Sequence, residues 1–254
     1  MPELCLVKTL WGVTEMAAPS YGEVLWASLL GRIKSEGFDR LEVVEYMIRG
    51  WNGDRTAGAP FPLANFEAAL SAAGLGIVLQ AHTCGYPCQS ASVDDHLVSL
   101  EETIKYANTL TGALAPKHIN VHAGCDAWTH DQGMDFLRRA AALVAAQSIP
   151  VSFETHRVRL FWNAWAARDL LKACDSEGIP VRLTADLSHW VVIAGRLMDH
   201  PSDAAVWPEI LALVASHTDL IHARVGYVEK TLPPLLVLLV LLVLLLLLLL
   251  LLLP

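Results

Sequence analysis

Basic residues are in short supply. Eighteen Lys and Arg stand against twenty-six Asp and Glu, for a formal net charge of −8, so the average surface repels a phosphate backbone and nucleic acid is not an expected partner. Cysteine is sparse and odd in number, five in all, with none of the spacing of a disulfide framework. Cys84 and Cys88, with His82 before them, form a C-x3-C group that lacks a second pair, and Cys125 stands alone, which argues against a structural zinc. Residues 1 to 14 have neither the basic start nor the long apolar region of a signal peptide, so the expected setting is a reducing cytoplasm. A Gly-rich phosphate turn is also missing. After Leu10 the chain offers only "WGVTEMAAPSYG", which disfavours an open, doubly wound nucleotide-binding sheet.

One long hydrophobic run is present, and it is confined to the end. Leu235 to Leu253 is nineteen consecutive Leu or Val, closed by Pro254. As a helix it would reach about 28 Å, close to the thickness of a bilayer core, so a tail-anchored protein is physically allowed. The run is nevertheless low-complexity, with Val237, Val240 and Val243 on a three-residue beat and only Lys230 beside it as a basic residue. That pattern favours a sequence artefact over a membrane anchor. Residues 1–230 are expected to form one domain and residues 231–254 the low-complexity tail, with Leu preferring helix to strand.

Along the domain, strand-like and helix-like stretches alternate. Strands are expected at Leu4–Leu10, Phe38–Val44, Gly76–Ala81, His118–Val121, Pro150–Phe153, Val181–Ala185 and Leu220–Val225. Helices are expected at Tyr21–Ser35, Leu63–Ala73, a stretch opening at Val93 behind a Ser92 cap, Gln132–Ala146, Trp162–Cys174 and Trp207–Ser216. In the helix after Ser92, the residues Val93, Leu97, Leu100, Ile104 and Ala107 recur at spacings of four and three, which marks one face of a 3.6-residue period. "SIPVSFETH" and "GIPVRLTADLSH" look like equivalent units thirty residues apart. Seven βα units in one domain of this length predict an α/β fold with a parallel sheet, a (β/α)8 TIM barrel rather than an open sheet.

In such a barrel the chemistry sits where strands end. The expected strand ends carry Glu42 and Glu45, His82, His122, Glu154, Asp186, and His222 with Arg224. Period-two alternation places Asn120 with His122, Ser152 with Glu154, Thr184 with Asp186, and His222 with Arg224 on shared strand faces. A Glu, an Asp and a His on three neighbouring strand ends make a mixed oxygen and nitrogen donor set, suited to one divalent ion such as Mn2+, Mg2+, Co2+ or Zn2+. An ion there would also meet the need of a buried carboxylate for a partner. Glu42 and Glu45 are expected to pack against rim cations, and His82 is either a core histidine or a substrate contact.

The motifs "INVHAG", "VSFETHR", "TADLSHW" and "LIHARVG", in this order, resemble the xylose isomerase-like TIM barrels of the sugar phosphate isomerase/epimerase group over roughly residues 1–230. The resemblance implies a divalent metal held by Glu154, Asp186 and His222, with a further Glu from a closing strand. It also implies a substrate or neighbouring role for His189 and a substrate-facing His122. The closing strand and its Glu would follow position 230, where the chain reads "TLPP" and then poly-Leu, so the resemblance implies a barrel incomplete at strand eight and impaired turnover. Its epimerase members carry an acidic group shortly after the first metal Glu, where this chain has Arg157 and Arg159, which disfavours a 3-epimerase of free ketoses.

The implied reaction is isomerisation or epimerisation by proton transfer beside a carbonyl of a small keto-sugar, polyol or sugar acid. Glu154, His122 and His189 would be the catalytic groups; His82, Arg157, Arg224 and Trp190 would contact the substrate. Arg159 is expected at the same rim, and Trp128 and Trp162 offer further flat walls for a sugar ring. Two other classes remain open. One is metal-assisted phosphodiester hydrolysis, as in the endonuclease IV-like branch, which needs more ligands and a basic groove. The other is a catalytically dead barrel, tethered to a membrane if the tail is genuine. A homo-oligomer is compatible with all three.

Overall fold

The structure is a computed structural model that describes residues 4–10, 23–49, 63–85, 88, 90–195, 203–204 and 206–223. Among the described residues seven strands, β1 (Val7–Thr9), β2 (Arg40–Val44), β3 (Gly76–His82), β4 (Pro116–His122), β5 (Val151–Glu154), β6 (Leu183–Ala185) and β7 (Thr218–Ile221), alternate with helices. The helices are α1 (Glu23–Ser35), α2 (Glu45–Arg49), α3 (Leu63–Ala73), α4 (Val93–Thr109), α5 (His130–Ala145), α6 (Ala164–Glu177), α7 (Leu187–Ala194) and α8 (Trp207–His217). The chain forms two compact units. The first comprises Met1–Gly85, Ser99–Val121 and Gln147–Val151; the second comprises Tyr86–Val98, His122–Ala146 and Ser152–Pro254.

In the first unit β1, β2 and β3 pair in parallel, with Thr9 opposite Glu42 and Glu42 opposite Val78. Parallel pairing requires a crossover on the sheet face, and apolar faces of α1 and α3 supply its cover. Trp26 of α1 and Phe66 of α3 meet with ring centroids 4.7 Å apart, and both are buried with Leu30, Leu41, Leu70 and Ile77. Each such side chain contributes about 1.5–3 kcal/mol of burial.

In the second unit β5, β6 and β7 are likewise parallel and consecutive. Its helices have legible ends. Thr129 and Gln132 form a reciprocal capping box on α5, and Asn163 caps α6, which Gly178 terminates at φ 67°. Each cap satisfies backbone N–H groups that the first helical turn leaves without partners. Phe136 of α5 packs on Phe153 of β5 at 5.9 Å. Leu211 and Ala215 of α8 pack with Leu187, Trp207 and Ile221.

Strand–helix alternation and consecutive parallel pairing agree with the expected α/β barrel architecture. The stretch after Asp186, left unassigned by the sequence, is a helix, α7, and one expectation is corrected: the last described strand is Thr218–Ile221 rather than Leu220–Val225. α8 ends at His217 and Thr218 is already extended, with its hydroxyl donated to the Val214 carbonyl at 2.7 Å. No helix among the described residues is long and apolar enough to cross a membrane. Residues 224–254, and with them Arg224 and the Leu/Val run, lie outside the described residues.

Candidate metal centre

The centre lies in the second unit, at the ends of β5, β6 and β7. Backbone pairing continues one step past each regular strand: Thr155 N–H donates to Thr184 O at 3.0 Å, and His222 N–H to Ala185 O at 3.0 Å. A register shift between Leu183 and Thr184 accompanies the β6–β7 pairing. The sheet ladder itself therefore sets Glu154, Asp186 and His222 side by side. His222 Nδ1 lies 3.6 Å from Glu154 Oε2 and 3.7 Å from Asp186 Oδ2. His189, one turn into α7, adds its Nε2 at 3.9 Å from Glu154 Oε1 and 3.8 Å from Asp186 Oδ2.

Asp186 does two jobs. Its Oδ1 caps α7, accepting the Ser188 N–H at 3.1 Å and the Ser188 hydroxyl at 2.5 Å, while Oδ2 faces the two imidazoles. Thr155 fixes the backbone beneath by accepting the Asp186 N–H at 2.7 Å. Two residues back along the same strand faces, Ser152 and Thr184 share a 2.6 Å hydroxyl–hydroxyl bond, as the alternation of Ser152 with Glu154 and Thr184 with Asp186 predicts.

Glu154 is 2 % exposed. Burial pushes its carboxyl pKa up, but the His122 and His222 imidazoles outweigh burial and hold it well below the usual carboxylate range. The nearer of the two, His122 at the end of β4, meets Glu154 Oε2 at 2.6 Å through Nε2. A group so held stays a carboxylate at neutral pH. Two carboxylates and two imidazoles converging within 4 Å of one another along these contacts fit a divalent cation by the chemistry of the donor set.

Sequence reading misses His156. Its ring lies between His122 and His189, with centroids 4.3 Å and 3.8 Å away. Burial, then the like charges of His122 and His189, push its pKa down to about 3. The signal is present as the Glu-x-His spacing in "FETH", since residues two apart share a face.

Other expected contacts are relocated. Trp190 is fully buried, donates its indole N–H to the Phe161 carbonyl at 2.9 Å and packs against Trp207, so it is a core side chain and no wall for a ligand. Arg159 is also fully buried rather than at a rim, and its charge bears on His96 and Cys88. Trp128 packs edge-on against His96 at 4.8 Å. Arg157 is exposed, and its carbonyl accepts from His156 Nδ1 at 2.6 Å.

In the first unit, His82 ends β3 and is half-buried. Glu45 sits on α2, paired with Arg49 and accepting from the Thr103 hydroxyl, as expected of a packing carboxylate. Glu42 is buried and accepts from the Asn120 amide at 2.9 Å.

No family model matches the chain, and no curated protein does. Solved structures do. A sugar phosphate isomerase/epimerase from Parabacteroides distasonis is 14 % identical, with a TM-score of 0.57 over 91 % of this chain and 79 % of its own. D-allulose 3-epimerase from Methylomonas sp. is 12 % identical, with a TM-score of 0.56 over 94 % and 80 %. A xylose isomerase-like TIM barrel protein from Mycobacterium smegmatis, solved in complex with magnesium, is 18 % identical, with a TM-score of 0.50 over 80 % and 67 %. At these identities the likeness concerns the fold: the chain has the α/β architecture of the xylose isomerase-like TIM barrels.

Proposed function

We propose that the chain is a divalent-metal-dependent isomerase or epimerase that moves a proton beside the carbonyl of a small keto-sugar, polyol or sugar acid. The observation that carries this reading is the convergence of Glu154 Oε2, Asp186 Oδ2 and His222 Nδ1 from three consecutive strand ends. Glu154, Asp186 and His222 would hold the cation. When bound, the ion would act as a Lewis acid on a hydroxyl or carbonyl oxygen, offsetting the charge that develops when the neighbouring carbon loses its proton.

The protein groups have separate tasks. Glu154, held well below the ordinary carboxylate range, stays ionised and so serves better as ligand than as base, because a weakly basic carboxylate has little drive to take a carbon-bound proton. His122 donates its Nε2–H to Glu154 Oε2, which orients its ring and supports the ligand from outside, as second partners of metal carboxylates do. His189, whose Nε2 lies close to both carboxylates, would accept or return the proton there. Arg157, exposed on the loop after β5, would pair with the acidic group of a sugar acid. The fold likeness to a sugar epimerase and a sugar phosphate isomerase/epimerase supports the substrate class.

The test is proton exchange. Keto-sugars, aldoses and sugar acids are incubated in D2O with the protein and Mn2+, Co2+ or Mg2+, with exchange followed by 1H NMR after removal of the metal. Loss of a signal beside the carbonyl, dependent on both protein and metal, is the expected result. Absence of exchange across the panel from a metal-loaded protein overturns the reading.

A further inference from the structure

A cleft of about 420 Å3 opens in the second unit between the start of α4, the loop after β4 and one side of α5, and no residue of the metal centre lines it. Its polar wall is Ser92, Asp94, Gln132, Asp135 and Arg139, and its aromatic side chain is Trp128. The volume lies within the range of about 300–1,000 Å3 that small-molecule clefts occupy. Gln132, Asp135 and Arg139 follow one another at spacings of three and four, so one face of α5 presents all three. We propose that this cleft binds a neutral sugar, with the ring lying along Trp128 and its hydroxyls shared among Asp94, Asp135 and Gln132.

The polar wall is organised by its own contacts. Arg139 donates from Nη2 to Asp94 Oδ1 at 2.6 Å and from Nη1 to Asp135 Oδ2 at 3.2 Å, so one guanidinium ties together carboxylates from α4 and α5. Each carboxylate keeps an oxygen, Asp94 Oδ2 and Asp135 Oδ1, that no other group among the described residues engages. Gln132 commits its Oε1 to the Thr129 N–H and hydroxyl, at 2.9 and 3.2 Å, which leaves its NH2 group as a donor.

Packing orients Trp128. A Cβ at Gly124 would lie 2.9 Å from Trp128 Cζ3 and 3.3 Å from Cε3, so that edge of the indole is turned against the backbone of the loop. The opposite edge carries the N–H, which meets no acceptor among the described residues. His96 and Phe136 steady the ring at centroid distances of 4.8 and 5.6 Å.

The spare groups select the ligand. Two carboxylates against one guanidinium leave the wall net negative, which opposes a phosphate or a sugar acid. A cationic amine would suit the carboxylates but would set further donors against the Trp128 N–H and the Gln132 NH2. A sugar hydroxyl donates and accepts at once, so neighbouring hydroxyls satisfy both kinds of spare group while the C–H face of the ring covers the indole. The cleft therefore takes a different ligand charge from the Arg157 side of the metal centre and needs no cation.

The test uses the full chain stripped of metal and labelled with 15N-tryptophan, so that its eight indoles report separately. Trp128→Phe identifies the cross-peak of position 128. D-glucose, D-fructose, D-galactose and methyl β-D-glucoside are titrated in, with putrescine and inorganic phosphate as cationic and anionic probes. The expected result is a saturable shift of the Trp128 cross-peak with at least one sugar and with neither charged probe. Asp94→Ala and Asp135→Ala, each checked by circular dichroism, should weaken that binding about 2- to 10-fold, the worth of one hydrogen bond, whereas Asp186→Asn should leave it unchanged.

Sugar binding that moves other indoles and is lost in Asp186→Asn would put the sugar at the metal centre, overturning the cleft while the proposed isomerase reading stands. Wild-type affinity in both Asp94→Ala and Asp135→Ala overturns the hydrogen-bonding wall. A Trp128 shift with putrescine or phosphate alone overturns the ligand class, and no shift with any probe overturns the site.

Discussion

The double role of Asp186 makes its metal-binding and structural contributions separable by two substitutions. Asn at position 186 keeps a carbonyl oxygen where Oδ1 accepts from the Ser188 N–H and hydroxyl. Asn and Asp are about equally good N-caps, so α7 stays capped. The substitution removes only the negative charge, which faces His189 at 3.8 Å and His222 at 3.7 Å. Asp186→Ala removes both, and loss of the cap alone costs about 0.5–2 kcal/mol.

A cation that binds only the folded chain at a hundredfold excess over its Kd stabilises by about 2.7 kcal/mol. At about 2–4 °C per kcal/mol for a chain somewhat shorter than this one, that is a rise in Tm of about 5–11 °C. Differential scanning calorimetry with and without Mn2+ should show this rise in wild type and little of it in Asp186→Asn. The two proteins should melt within about 2 °C of each other without metal, since the cap is kept. Asp186→Ala should melt lower than either in both conditions. An undiminished metal-dependent rise in Asp186→Asn would refute the assignment of Asp186 as a ligand.

Three further outcomes follow from single contacts. Gly124 has φ +64°, and a Cβ there would meet Leu160 Cβ and Trp128 Cζ3, each at 2.9 Å; Gly124→Ala should cost about 2–4 kcal/mol in urea unfolding, the sum of backbone strain and overpacking, and a cost below about 1 kcal/mol would contradict that packing. Trp190→Phe strands the Phe161 carbonyl that accepts the indole N–H and should lose about 1–3 kcal/mol while metal content is unchanged; unchanged stability with weakened sugar binding would return Trp190 to a substrate wall. Burial, then the Arg159 charge, lowers His96 from 6.5 to about 4, so the folded chain binds fewer protons than the unfolded chain in that window and stability falls as pH drops from 6.5 toward 4; His96→Gln should flatten this slope in denaturation measured across pH, and an unaltered slope would show that His96 is not its source.

The repeating chemistry of the chain is legible in the sequence where one rule governs it. α4 is readable from its apolar spacing, and Ser92 marks its start in the letters as it does in space, where its hydroxyl accepts the Asp95 N–H at 3.2 Å. Glu154, Asp186 and His222 are readable because strand ends share one rim and the ladder brings them together. α7 is not, because Asp186 reads in the sequence as a candidate metal ligand, and an Asp that also caps a helix carries two signals in one letter. The start of β7 is displaced by two residues because the apolar run "LIHARV" continues after the strand has ended, whereas its true start, Thr218, is polar. Arg159 and Trp190 are misplaced for a different reason: nearness in sequence to a motif says nothing about direction, and in the folded chain both turn into the core. His156 escapes notice because the expected strand stops before it, although the two-residue alternation that pairs Ser152 with Glu154 reaches it with one more step.

The central claim is that Glu154, Asp186 and His222 grip a cation, and anomalous X-ray diffraction from crystals grown with Mn2+ or Co2+ tests it most directly. The expected result is an anomalous peak within coordinating distance of all three side chains, absent from crystals of Asp186→Asn. A metal-soaked crystal with no peak there, or a peak at that place that persists in Asp186→Asn with the substituted side chain turned away from it, would contradict it.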